Sequence, residues 1–293
     1  MQCESLYLSL FFLCFFFNVS PIGCSFGKNR WEGKDEIHRL ASVSFPLFGF
    51  GQFIMAEQCF MLSSNFMALE GIDYVYSEWD PMMMYGLTNK TTISMMFPIV
   101  TERINRIPLT GMGNITIMCE HALYNHFDED SNHQWTILGT VLLPTAKATS
   151  LADIDITAAQ PSTTFFLGTT THHISPQWYI YAELGALIEL SSNHTRYGTA
   201  IYYNFGLGFP LRNKETSYLT ILFEASGRFR PSDVTNGVIN DSTGSNRLWF
   251  GPVLNWSYAD FTVQFGFQYP ISERFFAPRS IPSYRVDLRI FFF

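Results

Sequence analysis

From about residue 66 to the C-terminus, oily and polar side chains alternate with a period of two. Between Trp178 and Leu190, the residues Trp178, Ile180, Ala182, Leu184, Ala186, Ile188 and Leu190 share one face. Tyr179, Tyr181, Glu183, Gly185 and Glu189 share the other, with Leu187 the one aliphatic misfit. Successive side chains of a strand point to opposite sides, so this segment has one oily and one wet face. The pattern recurs in 196–209, 217–229, 247–258 and 261–269, where Leu222 and Trp249 are out of step. Weaker segments at 66–77, 81–87, 91–99, 113–125, 134–144, 162–174 and 283–293 bring the expected total to about twelve strands. Their lengths suit the ~9–11 residues that a tilted strand needs to cross a bilayer.

The connections carry an independent signal. Short ones near 88–90, 126–133, 175–177, 210–216 and 259–260 alternate with long ones near 100–112, 145–161, 230–246 and 270–282. The segments 78–80 and 191–195 are short exceptions. Tight turns facing the periplasm and long loops facing outside produce this alternation, and an even strand number leaves both termini in the periplasm. The predicted fold class is therefore all-β: a transmembrane, antiparallel up-and-down β-barrel in a Gram-negative outer membrane. A soluble β-sandwich also alternates. Two features weigh against it. Trp178, Tyr197, Phe209, Tyr258 and Tyr269 cluster at strand ends, as an interfacial girdle requires. The polar faces mix Gly, Ser and Thr with isolated charges, which suits a crowded lumen.

Composition sharpens this picture. Aromatic residues make up 17% of the chain and charged residues only 15%. Yet after the N-terminal region no run approaches the ~18 apolar residues of a membrane helix, so the apolar content must be dispersed along strands. The net charge of −7 provides no basic stripe, which argues against a nucleic-acid partner.

Residues 1–27 read as an export signal with an apolar core from Leu6 to Phe17 and small residues Ser25 and Gly27 for cleavage. Its start, Met1-Gln2-Cys3-Glu4-Ser5, lacks the usual Lys or Arg. Pro21-Ile22-Gly23-Cys24 faintly resembles a lipoprotein site without the Leu at −3. Beyond the signal remain Cys59 and Cys119, with no CxxC spacing, so neither a disulfide framework, a zinc site nor a cofactor is expected. Residues 28–57 hold the patch Phe45-Pro46-Leu47-Phe48-Gly49-Phe50-Gly51 and are expected to lie in the periplasm or to enter the lumen; 58–293 form the barrel.

In the last segment Tyr284, Val286, Leu288, Ile290 and Phe292 share an apolar face, and Arg285, Asp287 and Arg289 face inward. A strand ending in Phe resembles the signal read by the barrel assembly machinery, although here Phe292 keeps the phase and Phe293 departs from it. Four further segments carry a family resemblance: Tyr85-Gly86-Leu87-Thr88-Asn89, Phe97-Pro98-Ile99-Val100, Gly111-Met112-Gly113-Asn114-Ile115-Thr116 and Leu142-Leu143-Pro144-Thr145. In this order they resemble the YGLTD-, LPYV-, GLGD- and LPTG-like segments of the outer-membrane family named for the meta-pathway of phenol degradation. Asn114 stands for the family's Asp, Ala146 for its Gly, and Glu120-His121 for a Lys-Tyr pair. The resemblance implies a channel or transporter for small hydrophobic or aromatic compounds.

Alternation places Glu183, Glu189, Arg196, Asn204, Glu224, Arg228, Gln264, Arg285, Asp287 and Arg289 on inward faces, joined by Tyr179, Tyr181 and Tyr202. They form either a solute path or a network of paired charges filling the interior, since unpaired buried charges are costly. The tyrosines would offer apolar faces with polar tips to a solute. The Gly111–Gly113 segment has no nucleotide-binding context; Asn114 there is expected to bond the turning backbone. Two rival classes stay open. One is the same barrel plugged by 28–57, acting as a scaffold or surface binder. The other is a lipid-modifying hydrolase, for which His121 and His173 are the outward candidates; it requires a nearby Ser, no strand places an outward Ser beside them, and no enzyme is expected. The expected partners are outer-membrane lipid, the assembly machinery and a small hydrophobic solute.

Overall fold

The computed structural model describes residues 46–51, 54–71, 74–104, 107–128, 131–146, 162–191, 194–214, 217–241, 243–258, 261–275 and 282–292. The expected signal at 1–27 and residues 28–45 lie outside them. Seventeen strand segments occur in this order: β1 (Phe60–Gly71), β2 (Tyr74–Thr88), β3 (Thr91–Met96), β4 (Ile99–Ile104), β5 (Ile107–Met112), β6 (Ile115–Phe127), β7 (Asn132–Leu143), β8 (Thr164–Ile174) and β9 (Tyr179–Glu189). There follow β10 (Thr195–Arg196), β11 (Ala200–Lys214), β12 (Ser217–Arg230), β13 (Asp233–Thr235), β14 (Val238–Asn240), β15 (Ser245–Tyr258), β16 (Phe261–Phe275) and β17 (Pro282–Phe292).

β3 and β4 run as one strand broken at Phe97-Pro98, and β5 and β6 as one broken at Gly113-Asn114, because each half pairs with its opposite number. With these merged, and the small sheet β10-β13-β14 set aside, a closed antiparallel barrel of 12 strands remains. It closes where β1 pairs with β17, from Leu62 opposite Phe292 to Gly71 opposite Pro282. Closure leaves no edge, so every wall strand finds ladder partners on both sides without water.

The start of β1, the end of β17 and the strand ends at Thr88, Thr91, Phe127, Asn132, Ile174, Tyr179, Lys214, Ser217, Tyr258 and Phe261 lie at one end, called here the terminal end. The strand ends at Leu143 and Thr164 and the small sheet lie at the far end. Inside and outside separate cleanly. On β9 the residues Tyr179, Tyr181, Glu183, Gly185, Leu187 and Glu189 are buried, whereas Leu184 and Ile188 are exposed. Phe205, Phe223, Phe250, Leu254, Phe265 and Phe267 are likewise exposed on neighbouring strands. Exposed aromatic and aliphatic residues around a closed wall, with Glu, Asp, Arg and Gln buried within it, form a lipid-facing exterior. At the terminal end Trp256, Tyr258 and Phe261 group their rings 5.4–6.2 Å apart, matching the expected girdle there. Tyr197 departs from it, lying in the connection between β10 and β11.

Three expectations are corrected. The segment 78–80 is no loop: β1 ends at Gly71, and β2 is continuous from Tyr74 to Thr88. Glu78-Trp79-Asp80-Pro81 resembles a turn, but Glu78 and Asp80 point inward and are buried. Pro81 is tolerated because it sits where β2 exchanges one neighbour for another, β4 up to Trp79 and β3 from Met82. Its carbonyl accepts the Phe97 N–H across that break, and its missing N–H removes no ladder bond. The long connection expected at 100–112 is mostly the hairpin β4–β5. Third, the strand expected from 196 begins at Ala200, since Gly198 approaches Pro231 so closely that a Cβ would overlap the Pro231 carbonyl oxygen.

Three of the four family-like segments meet at these breaks. The Gly113 N–H bonds the Pro98 carbonyl, the Asn114 side-chain oxygen accepts the Ala146 N–H at 3.1 Å, and the Thr145 hydroxyl bonds both the Ile115 N–H and the Gly113 carbonyl. The Asn114 expectation is met in this form.

Candidate functional site

The barrel interior holds residues 46–51, and the wall grips their backbone. Glu224 on β12 accepts the N–H groups of Leu47 and Phe48 at 3.1 and 3.0 Å. Glu183 on β9 accepts those of Phe50 and Gly51 at 3.0 and 3.1 Å, and the Asn204 side-chain amide at 2.7 Å. From β17, Arg289 donates to the carbonyls of Pro46 and Leu47 at 3.2 and 3.0 Å. Two carboxylates and one guanidinium thus satisfy both polarities of a short backbone stretch, which would otherwise be buried unpaired at high cost.

Side chains of the segment fill what remains. Leu47 and Phe48 pack with Ile174, Tyr179, Tyr181, Leu222 and Val253 in one buried cluster. A Cβ at Gly266 would collide with Leu47 and Phe48, so glycine on β16 makes the seat deep enough. Phe50 meets Phe166 edge-on at 4.7 Å, beside Tyr202 and Leu187. Arg285 forms a two-bond pair with Asp287 and lies 5.1 Å over the Phe48 ring. The Arg228 guanidinium stands 5.8 Å above Tyr202. Farther along, Met55 donates its N–H to Thr92 at 2.7 Å, and the Glu57 N–H meets the Asn89 side chain.

The structure therefore gathers most of the sequence candidates around one object. Tyr179, Tyr181, Glu183, Asn204, Glu224, Arg285, Asp287 and Arg289 surround residues 46–51, and Gln264, fully buried, sits opposite Arg289 in register. Glu189 stands apart toward the far end, 3.5 Å from Arg230, which also meets Asp233. Arg196 is misplaced by the sequence reading: it is exposed in β10, paired with Val234 of the small far-end sheet. Nearby Tyr197 has its hydroxyl pushed above its ordinary pKa, by burial first and then by Glu189 and Asp233. Buried Glu78, Asp80, Glu102 and Glu120 were missed, because their strands were given weak or wrong limits. Toward the far end Met67, Leu69, Tyr76, Val100 and Trp249 form a second dry cluster. His121 and His173, the hydrolase candidates, contact Thr91 and the His133–Trp178 rings respectively.

A closed barrel of this kind, with lipid-facing exterior and charged interior, is an outer-membrane β-barrel protein. It is similar to an outer membrane channel from Pseudomonas putida F1, with a TM-score of 0.63 at 10% identity over 86% of this chain and 97% of that one. It is also similar to the NanC porin, with a TM-score of 0.45 at 8% identity over 80% of this chain and 100% of that one. LpxR from Salmonella typhimurium gives 0.41 at 11% identity, over 80% and 99%. No protein-family model matches the sequence, and no curated protein matches it. At these identities the likeness establishes the fold, and no family model carries the meta-pathway resemblance at 85–146.

Proposed function

We propose that the chain is an outer-membrane channel for small hydrophobic or aromatic molecules, closed by its own residues 46–51 and 54–57 until that segment withdraws. The observation that carries this reading is the pair of buried carboxylates, Glu183 and Glu224, each taking two successive N–H groups of the segment. The segment forms no ladder with the wall, so its release requires the loss of a few side-chain bonds and leaves the barrel pairing intact. Tyr179, Tyr181, Phe166 and Tyr202 would then line the vacated space with aromatic rings, the tyrosines carrying polar tips, which favours apolar or aromatic solutes. The similar Pseudomonas protein is described as an outer membrane channel, and the resemblance at 85–146 points the same way. Export through an N-terminal signal and assembly through the C-terminal strand complete the proposal, with both termini in the periplasm.

A second reading keeps the segment permanently seated, the barrel serving as an anchor or surface binder. The buried apolar cluster around Trp249 toward the far end supports it, since it packs inward side chains from β1, β2, β4 and β15 together. Planar-bilayer conductance and liposome uptake of a small aromatic solute separate the two. The parent should show rare openings, and a variant lacking residues 46–51 should conduct steadily and admit the solute. A deletion variant that folds but stays silent and impermeable would leave the anchor reading standing.

A further inference from the structure

Toward the terminal end the lumen wall changes chemistry. Met61 on β1 lies directly opposite Met84 on β2, and Met82 on β2 directly opposite Met96 on β3. Direct partners across antiparallel strands hold their Cβ atoms about 4.5–5.5 Å apart, and residues two apart on one strand share a face. The four thioethers therefore form one patch on three neighbouring strands. Met55, carried by the lumen segment, packs onto Met61, Met82 and Met84, and Cys59 lies against the same group. Phe291 of β17 closes one side.

The backbone is shaped to bring these sulfurs together. Gln58 takes a left-handed conformation, with φ of 63°, and turns the chain over the wall. Its N–H bonds the Gly86 carbonyl, and the Gly86 N–H bonds the Cys59 carbonyl. A Cβ on Gly86 would overlap the Ala56 carbonyl oxygen, so only glycine lets the turn close here. Methionine often serves as adaptable filler. At the neighbouring seat of Leu47 and Phe48, however, filling is done by Leu, Ile, Val and Tyr. Sulfur is concentrated where the chain folds back.

We propose that Met55, Met61, Met82, Met84, Met96 and Cys59 form a binding site for a soft monovalent cation, copper(I) or silver(I). Thioethers and thiolates select such ions, which accept few ligands and flexible geometry. Neutral thioethers leave only a single charge to bury, and the Cys59 thiol, releasing its proton to the buffer as its sulfur binds the ion, would neutralise it. A divalent ion would keep excess charge in a dry setting and is disfavoured there. Met96 and Cys59 are only partly buried, which gives the ion a path in. The site is independent of whether the barrel conducts.

The test is calorimetric titration of the purified full chain in detergent with silver nitrate in chloride-free buffer. The variants are the pair Met61→Leu with Met84→Leu, the single Met55→Leu, and Cys119→Ser as a control. Leucine preserves volume, and heat-modifiable gel mobility reports folding. The parent should bind silver with an affinity that falls at least tenfold in both methionine variants and is unchanged in the control. Equal amounts of zinc should not displace it. Methionine variants that bind silver as tightly as the parent, or displacement by zinc, would overturn the assignment. Because Met55 lies outside the wall, the single variant decides the matter even if the double variant fails to fold.

Discussion

The clasp on residues 46–51 can be loosened at one side chain. Glu224→Ala removes the only carboxylate holding the Leu47 and Phe48 amides, at 3.1 and 3.0 Å. Each hydrogen bond to a charged acceptor contributes about 1.5–3 kcal/mol, and water entering the shortened pocket returns part of that. A net loss of about 2–4 kcal/mol remains. At 1.4 kcal/mol per factor of ten, the open form of the segment should gain roughly 30- to 700-fold in population. The barrel ladders do not involve this side chain, so the wall should stay intact. Hydrogen exchange followed by mass spectrometry reads the effect directly. Peptides covering 46–51 should lose protection by that factor, while peptides from β9 and β15 keep theirs. Unchanged protection at 46–51 in a folded variant would refute the clasp, and with it the idea that the segment is held by few and separable bonds.

Further outcomes follow from other contacts. Gly266→Leu places a side chain where Leu47 and Phe48 sit, so steady conductance should rise while the barrel persists, as read in planar bilayers. Leu184→Arg puts a charge midway along β9 on the lipid face and should destabilise the folded barrel by about 2–4 kcal/mol in refolding titrations. Val238→Arg, in the exposed far-end sheet, should cost nothing measurable in the same assay. Asn114→Ala deletes the bond to the Ala146 N–H and should weaken the β7 end by about 1 kcal/mol, seen as faster proteolysis after Leu143 with the strands spared.

The alternation was enough to read the barrel, its closing strand and the inward face, because a two-residue period survives any detail of packing. The residues that broke it were the informative ones. Leu187, Leu222 and Trp249 look like errors on a polar face, yet all three are buried against lumen contents, Leu222 beneath Leu47 and Phe48 and Trp249 against Tyr76. An apolar residue pointing inward marks a place where the interior is dry. That inference was available, but the partner segment, Phe45 to Gly51, has no period of its own to name its place. Limits failed where a strand changes neighbours. Pro81 and Pro98 lie at such points, and a single sequence shows a proline without showing which side of the ladder it leaves bare. Arg196 failed for a related reason, since the small sheet continues the strand-like pattern after the wall has ended.

Arg289 belongs to the last strand of the chain, and it holds carbonyls that precede the first. One side chain near the seam where β17 meets β1 thus ties the last described strand to the inner segment that precedes β1. Closing of that seam brings into place the side chain that holds the inner segment. A chain interrupted before residue 282 would lack both the final staple and the hand that pulls the stopper home.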